Sequence, residues 1–92
     1  MAVRLEEIKM EFGKAVRQER QRLGISQSEL GRRAGLHRTY VCDLERGARN
    51  PSLETVSKVA EALGIAAREL FAPKAPWTWE RRTQRPLPGR AE

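Results

Sequence analysis

The sequence predicts an all-α protein, with one small domain of five helices followed by an extended, proline-rich C-terminal tail. Apolar residues recur every three or four positions through the first part of the chain, as they do on one face of a helix. A glycine follows each of the first four such stretches, where a left-handed residue ends a helix at little cost. These glycines are Gly24, Gly35, Gly47 and Gly64. Because 92 residues suffice for one domain, we place it at residues 1–72 and the tail at residues 73–92.

The first two predicted helices cover residues 5–23 and about 26–34. The apolar stripe of the first consists of Ile8, Phe12, Val16 and Leu23. Gly13 lowers the helix propensity inside that helix, and we interpret it as a point of close contact with another element. Ser26 and Glu29 have the spacing of a capping box at the start of the second helix. The inward-facing residues of the second helix are Leu30 and Ala34.

The other three predicted helices cover residues 37–46, 52–63 and about 66–71. In the third helix Val41 and Leu44 form the buried side. Its opposite side consists of Arg38, Thr39, Cys42, Asp43 and Arg46. The fourth helix has an apolar stripe of Leu53, Val56, Ala60 and Leu63, and the serine before it is a favourable cap. The fifth helix is short, and no good capping residue precedes it.

Basic residues are concentrated on the third predicted helix and in the tail. The net charge is +6, and residues 32–49 and residues 74–92 each contain five bases and two acids. An excess focused in this way indicates a face that binds a polyanion. Four prolines exclude a long helix in the tail, where bases alternate with Trp77 and Trp79. We expect the tail to be extended and to order on contact with a partner.

Residues 25–47 contain the most specific functional pattern. Two short helices meet at Gly35, which is the layout of a helix-turn-helix that places its second helix in the major groove of DNA. The candidates for base contact are Arg38, Thr39 and Asp43. A guanidinium pairs with guanine, a threonine suits a thymine methyl group or a phosphate, and a carboxylate accepts from cytosine N4. The alternatives are a solvated or phosphate-bound arginine, a plain surface threonine, and an ion pair between Asp43 and Arg46.

The candidates for contact with the DNA backbone are Gln27, His37, Tyr40, Arg46, Arg49 and Asn50. Gln27 lies at a helix N-terminus, whose free N–H groups favour an anion, although it is equally well explained as an exposed glutamine. Arg46, Arg49 and Asn50 follow the third helix, where they can bind phosphates; Arg49 alternatively enters a groove. Tyr40 either gives its hydroxyl to a phosphate or is purely structural. We expect the His37 side chain to cap the helix or to lie beside a phosphate.

Six motifs occur in order between positions 12 and 71. They read S-Q-S-E-L (26–30), G-L-H-R-T-Y-V (35–41), L-E-R-G (44–47), R-N-P-S-L-E-T (49–55), A-E-A-L-G-I (60–65) and R-E-L-F (68–71). Together they resemble the Cro/repressor-type (XRE-like) helix-turn-helix family, including restriction-modification controller proteins and other small stand-alone regulators. The resemblance implies a five-helix, lambda-repressor-like domain, a homodimer, operator binding by the third helix, and an internal ion pair between Arg20 and Glu45. Two departures are His37, where the family more often has Ser, Thr or Asp, and Asp43, which adds a negative charge to the outward face.

These observations predict a sequence-specific DNA-binding transcription regulator that binds an inverted-repeat operator as a homodimer. Its half-sites should lie about one helical turn apart. The dimer contact is predicted to use exposed apolar residues, namely Ile65, Leu70 and Phe71. An alternative function is an antitoxin or adaptor whose tail binds a partner protein through Trp77 and Trp79 while the domain binds operator DNA. These tryptophans could equally pack back on their own domain.

Other functional classes receive no support from the sequence. We find no Ser/His/Asp arrangement, metal-ligand cluster or glycine-rich phosphate loop, so we predict no enzymatic activity, no metal and no cofactor. Cys42 is the only cysteine, which excludes an intrachain disulfide. No apolar run approaches the roughly 20 residues that cross a bilayer, and no secretory signal opens the chain. The expected location is therefore the cytoplasm of a prokaryote, with no membrane partner.

Overall fold

The computed structural model describes residues 4–71, which form four α-helices and a final 3₁₀ turn, with no strand in that range. In chain order these are α1 (Leu5–Leu23), α2 (Gln27–Ala34), α3 (Arg38–Glu45), α4 (Leu53–Leu63) and the 3₁₀ turn (Ala67–Leu70). The all-α prediction is confirmed, but the count of five helices is wrong because the last element is a 3₁₀ turn of four residues. The tail at residues 73–92, with Trp77 and Trp79, lies outside the described residues.

The serines before α2 and α4 act as caps, as predicted. Ser26 Oγ accepts from the N–H of Glu29 at 3.0 Å, and Ser52 Oγ accepts from the N–H three residues later at 3.1 Å. The full capping box at Ser26 does not form, because the Glu29 carboxylate binds Arg32 and Arg33 instead. A hydrogen bond between two charged groups is stronger than one between a carboxylate and a neutral N–H. The Glu29 carboxylate therefore binds the two guanidinium groups and not the backbone N–H of Ser26.

The final 3₁₀ turn is capped from within. Glu69 Oε2 accepts from the N–H of Ala66 at 3.0 Å, which satisfies one of the free donors at the start of the turn. Because this cap comes from within the turn, the residues before the turn give no signal of it. Leu70, at the end of the turn, inserts into the core with α1 and α4. Leu70, together with the stacking of Phe71 on Phe12, holds the C-terminal end of the described chain against the helices.

One apolar core lies between the helices. α3 packs against α1 and α2, while α4 packs against α1, α2 and the 3₁₀ turn. The buried apolar side chains are Phe12, Ala15, Val16, Leu30, Ala34, Val41, Leu44, Val56, Val59, Ala60, Leu63 and Leu70. Val41 and Leu44 thus anchor α3, as predicted. Most of the core residues anticipated on the other helices are also buried.

Three apolar residues of the predicted stripes are exposed instead. Leu53 is 87% exposed, Ile8 is 40% exposed and Leu23 is 37% exposed. Leu53 is the first residue of α4 and Leu23 the last of α1, so both lie at the margin of the core. Val59, in the middle of α4, is fully buried and was missed. Helical spacing identifies the inward side of a helix, but not how far along that side the neighbouring helices extend.

Gly13 confirms the predicted close contact. A Cβ at this position would stand 2.8 Å from the carbonyl oxygen of Glu45 and still closer to that of Leu44. Both atoms belong to the backbone at the end of α3, so they cannot rotate away. The missing side chain lets α1 and α3 approach each other, and it sets the position of the C-terminal end of α3.

Candidate nucleic-acid interface

α2 and α3 are joined by a tight turn. Gly35 ends α2 with a φ of 72°, in the left-handed region that favours glycine. The N–H of Leu36 donates to the carbonyl oxygen of Gly31 at 2.7 Å. A Cβ at Gly31 would lie 2.5 Å from the carbonyl oxygen of Leu36, so this approach requires glycine at position 31 as well. The turn therefore fixes the direction of α3 relative to α2 through backbone contacts.

α3 has one buried and one outward side. Val41 and Leu44 are buried, whereas Arg38 and Thr39 are exposed in the first turn on the other side. His37 Nδ1 accepts from the N–H of Thr39 at 3.1 Å, which confirms the predicted cap. A helix that enters the major groove with its N-terminal end needs an exposed first turn of this kind.

Arg38 differs from the other arginines of residues 32–49. Its side chain makes no hydrogen bond or ion pair with any residue in the range 4–71, whereas two carboxylates hold the other four arginines. No residue of that range therefore occupies the donors of the Arg38 guanidinium. Such a guanidinium can form a bidentate pair with guanine O6 and N7 without first breaking an ion pair.

Asp43 binds two arginines on the outward side of α3. Its Oδ1 accepts from Arg46 Nη2 at 2.6 Å, and its Oδ2 accepts from Arg49 Nε at 3.3 Å. The hydrogen bond from Arg46 is the main cause of the lowered pKa of Asp43. The hydrogen bond from Arg49 also lowers this pKa, to a smaller extent. The structure thus shows the ion pair between Asp43 and Arg46 that sequence analysis weighed against a cytosine contact. The cytosine contact stays a prediction.

Tyr40 and Arg49 form a contact that sequence analysis missed. The Arg49 guanidinium carbon lies 4.9 Å from the centroid of the Tyr40 ring. The half-buried ring also packs against the core, as one of its two predicted roles requires. Arg49 lies nine positions after Tyr40 and beyond the end of α3, so no helical spacing rule relates the two residues. Exposed Asn50 follows Arg49, and its contact with the DNA backbone stays a prediction.

Glu45 connects α3 to the two preceding helices. Its carboxylate accepts from Arg20 Nε at 2.6 Å and Arg20 Nη2 at 3.0 Å, and from Gln27 Nε2 at 3.1 Å. Arg20 also donates to the carbonyl oxygen of Ile25 at 3.0 Å. The side chains of Arg20 and Glu45 are only 14% and 5% exposed, and the hydrogen bond to Glu45 raises the pKa of Arg20. The implied internal ion pair is present, and the Gln27 amide proposed for a phosphate is bonded to it.

Glu29 holds the two arginines at the end of α2. Its carboxylate accepts from Arg32 Nη2 at 2.6 Å and from Arg33 Nε at 2.8 Å. These two hydrogen bonds, first from Arg32 and then from Arg33, lower the pKa of Glu29 to about 2. The pattern repeats that of Asp43, with one carboxylate binding two arginines. Neither of these arginines was selected as a candidate site residue, although their spacing of three and four from Glu29 is a recognisable signal.

The three residues predicted for a dimer contact differ in exposure. Leu70 is 1% exposed, so the expectation that it lies on the surface is wrong: it fills the core beneath the 3₁₀ turn. Ile65 is partly buried and packs against the core. Phe71 is 49% exposed and stacks on Phe12, with ring centroids 5.3 Å apart. Of the three, Phe71 presents the largest apolar surface to solvent.

An exposed apolar region that was not predicted lies around Phe71. We define the apolar surface as Leu5, Ile8, Leu53 and Phe71, four exposed residues that line one shallow groove. Asn50 and Pro51, directly after the arginines that follow α3, lie at its edge. The sequence signal for this surface was the same apolar spacing that wrongly placed Ile8 and Leu53 in the core.

No helix among residues 4–71 has the length and apolar character that crossing a membrane requires.

Comparison with known proteins agrees with this architecture. The model of the helix-turn-helix family matches residues 16–70. The control protein C.BamHI of Bacillus amyloliquefaciens is 44% identical over 65 residues, which cover 70% of this chain and 80% of that protein. The crystal structure of the restriction-modification controller protein C.AhdI from Aeromonas hydrophila has a TM-score of 0.69 at 44% identity, covering 72% of this chain and 96% of that one.

A third likeness is to the N-terminal DNA-binding domain of SinR from Bacillus subtilis. Its TM-score is 0.64 at 33% identity, and the match covers 68% of this chain and 93% of that one. The family match extends over more than half of the chain, and it includes α2, the turn and α3 in full. The chain therefore belongs to the XRE-like helix-turn-helix family.

Proposed function

We propose that the chain is a sequence-specific DNA-binding transcription regulator that binds an inverted-repeat operator as a homodimer in the cytoplasm. The observation that carries this proposal is the outward side of α3, where Arg38 and Thr39 are exposed and Arg38 has no partner among residues 4–71. The relatives, which include a control protein and a DNA-binding domain, support the same function. Base contacts are assigned to Arg38 and Thr39, with Asp43 as a further candidate.

The backbone contacts are assigned to the residues that surround α3. Arg46 and Arg49 follow the helix on its outward side, and Asn50 continues that edge. Gln27 and His37 lie at the N-terminal ends of α2 and α3, where free N–H groups attract a phosphate. Tyr40 supports Arg49 through its ring, and its hydroxyl remains the candidate phosphate donor. These contacts would fix the position of α3 in the groove without specifying sequence.

The homodimer is proposed to form through the apolar surface rather than through Leu70. One module of this size buries only about 600–1,000 Å² on DNA, so useful affinity normally requires two. Asn50 and Pro51 join the apolar surface to the arginines after α3, so a second copy docked there would place both copies of α3 near each other. The adjoining rim carries both signs of charge, including Glu7, Glu11 and Lys14, which suits a two-fold contact between identical surfaces.

The alternative function, an antitoxin or adaptor, depends on Trp77 and Trp79. Both lie outside the described residues, and none of the contacts described above favours it. It stays a prediction from the sequence.

The decisive experiment selects bound duplexes from a random pool with the 92-residue chain and then compares variants on the selected and scrambled duplexes. Arg38→Ala should reduce the preference for the selected duplex by about 1–3 kcal/mol, because a bidentate base contact is lost. Arg68→Ala, an exposed arginine of the final turn, is the matched control and should leave the preference unchanged. Fluorescence anisotropy measures both. Equal losses on both duplexes for Arg38→Ala would contradict a base contact.

A further inference from the structure

Most of the arginines near α3 form ion pairs with carboxylates of the described chain. Of the five arginines in residues 32–49, Glu29 holds Arg32 and Arg33, and Asp43 holds Arg46 and Arg49. Of these five arginines, only Arg38 has no carboxylate partner among residues 4–71. The polyanion-binding face indicated by the charge count is therefore partly neutralised before any DNA arrives.

Asp43 occupies the place that suits a DNA phosphate. It is on the outward side of α3, its side chain is 19% exposed, and each of its two oxygens accepts from a different guanidinium. A phosphate group of the DNA backbone also offers two unesterified oxygens and one negative charge. The Tyr40 ring contacts Arg49 on a second side, at 4.9 Å, and helps to keep its guanidinium beside Asp43. A phosphate that approaches Arg46 Nη2 or Arg49 Nε meets donors that Asp43 already occupies, so the two anions compete for them.

We propose that Asp43 is a specificity-determining residue whose carboxylate competes with DNA phosphates for Arg46 and Arg49. The inference rests on the proposed function and deepens it. On random DNA, contacts between basic side chains and phosphates supply essentially all of the affinity. Competition for two of the arginines therefore lowers this affinity directly. On the operator, the base contacts of Arg38 and Thr39 add to the affinity, and a cytosine N4 amino group can replace the arginines as a donor to Asp43. The competition therefore weakens binding to random DNA more than binding to the operator.

The test measures binding of Asp43→Asn to a random-sequence duplex by fluorescence anisotropy from 50 to 200 mM salt. Each phosphate contact steepens the slope of log affinity against log salt by about 0.9, so one or two additional contacts steepen it by about 1–2. Over this salt range the variant should lose about 3- to 12-fold more affinity than the wild type. At 50 mM salt it should bind the random duplex about tenfold more tightly, and the ratio of operator to random affinity should fall.

Two controls separate competition from a simple change of net charge. Glu54→Gln also removes one negative charge, but within residues 4–71 Glu54 forms an ion pair only with Lys58, at 3.6 Å on α4. It should leave the random-duplex affinity within about twofold of the wild type, since Glu54 binds neither Arg46 nor Arg49. In a chain that carries Arg46→Gln and Arg49→Gln, adding Asp43→Asn should have no further effect. Circular dichroism confirms folding of each variant, and Asp43→Ser serves as a second substitution.

The outcomes are distinct. A gain with Asp43→Asn that disappears without the two arginines supports the proposal. An unchanged affinity, an equal gain with Glu54→Gln, or a gain that persists without the arginines overturns it. Failure of the proposed function has a different signature, because a wild-type chain that selects no sequence from a random pool would reject sequence-specific regulation. The comparison on random duplex would still report whether Asp43 competes for the arginines.

Discussion

At the scale of single residues, Glu45 links three helices through one carboxylate. Its carboxylate is almost fully buried, and it accepts hydrogen bonds from α1 and α2 while belonging to α3. Arg20 faces it with a guanidinium that also donates to the carbonyl oxygen of Ile25. Because a buried pair is stable only while both charges are present, the penalty for losing one partner is larger than the net contribution of the pair.

Glu45→Gln should lower the free energy of unfolding by about 3 kcal/mol, since it leaves the Arg20 charge without its carboxylate in a poorly hydrated place. Urea denaturation monitored by circular dichroism measures the change. Glu61→Gln, at an exposed position of α4, makes the same chemical change and should shift the free energy by less than about 0.5 kcal/mol. A loss below about 1 kcal/mol for Glu45→Gln would mean that water reaches this pair freely.

The predictability of individual residues follows from how local their partners are. The caps at Ser26, His37 and Ser52 involve neighbours two or three positions away, so sequence spacing was enough. The ion pair between Asp43 and Arg46 was anticipated for the same reason. The contacts of Arg49 with Asp43 and Tyr40 were not anticipated, because they cross the end of α3, where the chain direction changes. The pair of Arg20 and Glu45, 25 positions apart, came only from the family resemblance.

At the scale of elements, the contact between α1 and α3 depends on a residue without a side chain. Gly13 lies against two backbone carbonyl groups at the end of α3, and this crossing positions the helix proposed to enter DNA. Glycine inside a helix normally costs about 1 kcal/mol relative to alanine. Its presence in the middle of a 19-residue helix is explained by the close approach that it allows.

Gly13→Ala should destabilise the domain by about 1–3 kcal/mol, because the added methyl group forces the two helices apart and this outweighs the gain in helix propensity. Thermal and urea unfolding measure the effect. Lys14→Ala, at the exposed neighbouring position on α1, should change stability by less than about 0.5 kcal/mol. If Gly13→Ala instead raised stability by about 1 kcal/mol, the contact with α3 would not be as close as the structure has it.

The helix boundaries were predictable because caps and terminal glycines are coded locally. α1 has the predicted bounds, and α3 is shorter by one residue at each end since His37 and Arg46 are its caps. The nature of the last element was not predictable. Four residues cannot distinguish an α-helix from a 3₁₀ turn by spacing, and packing of Leu70 into the core decides the outcome.

At the scale of the whole molecule, the apolar surface is the feature that one copy of the chain leaves unexplained. Leu53 stands almost fully exposed beside Phe71, Leu5 and Ile8, on the edge that adjoins Asn50 and Pro51. Apolar spacing assigned Ile8 and Leu53 to the core, and it gave no indication that the ends of α1 and α4 meet. A surface assembled from three distant parts of the chain becomes visible only once the fold is known.

Leu53→Gln should weaken self-association at least tenfold, because in a two-fold contact the substitution acts twice and each buried leucine contributes about 1.5–3 kcal/mol. Sedimentation equilibrium measures the dissociation constant. Leu23→Gln makes the same change at another exposed leucine, at the far end of α1 from Leu5 and Ile8, and should leave association unaltered. Equal effects of the two substitutions, or a wild-type chain that stays monomeric at all concentrations, would refute the proposed dimer surface.

The two sides of α3 have separate partners. Gly13, Val41, Leu44 and Glu45 hold the helix to its scaffold, while positions 38, 39 and 43 project away from it. Exchanging outward side chains therefore leaves the anchoring contacts intact. Regulators with new operator preferences could arise from this scaffold by a few substitutions without loss of the fold, so preference can diverge among relatives faster than architecture.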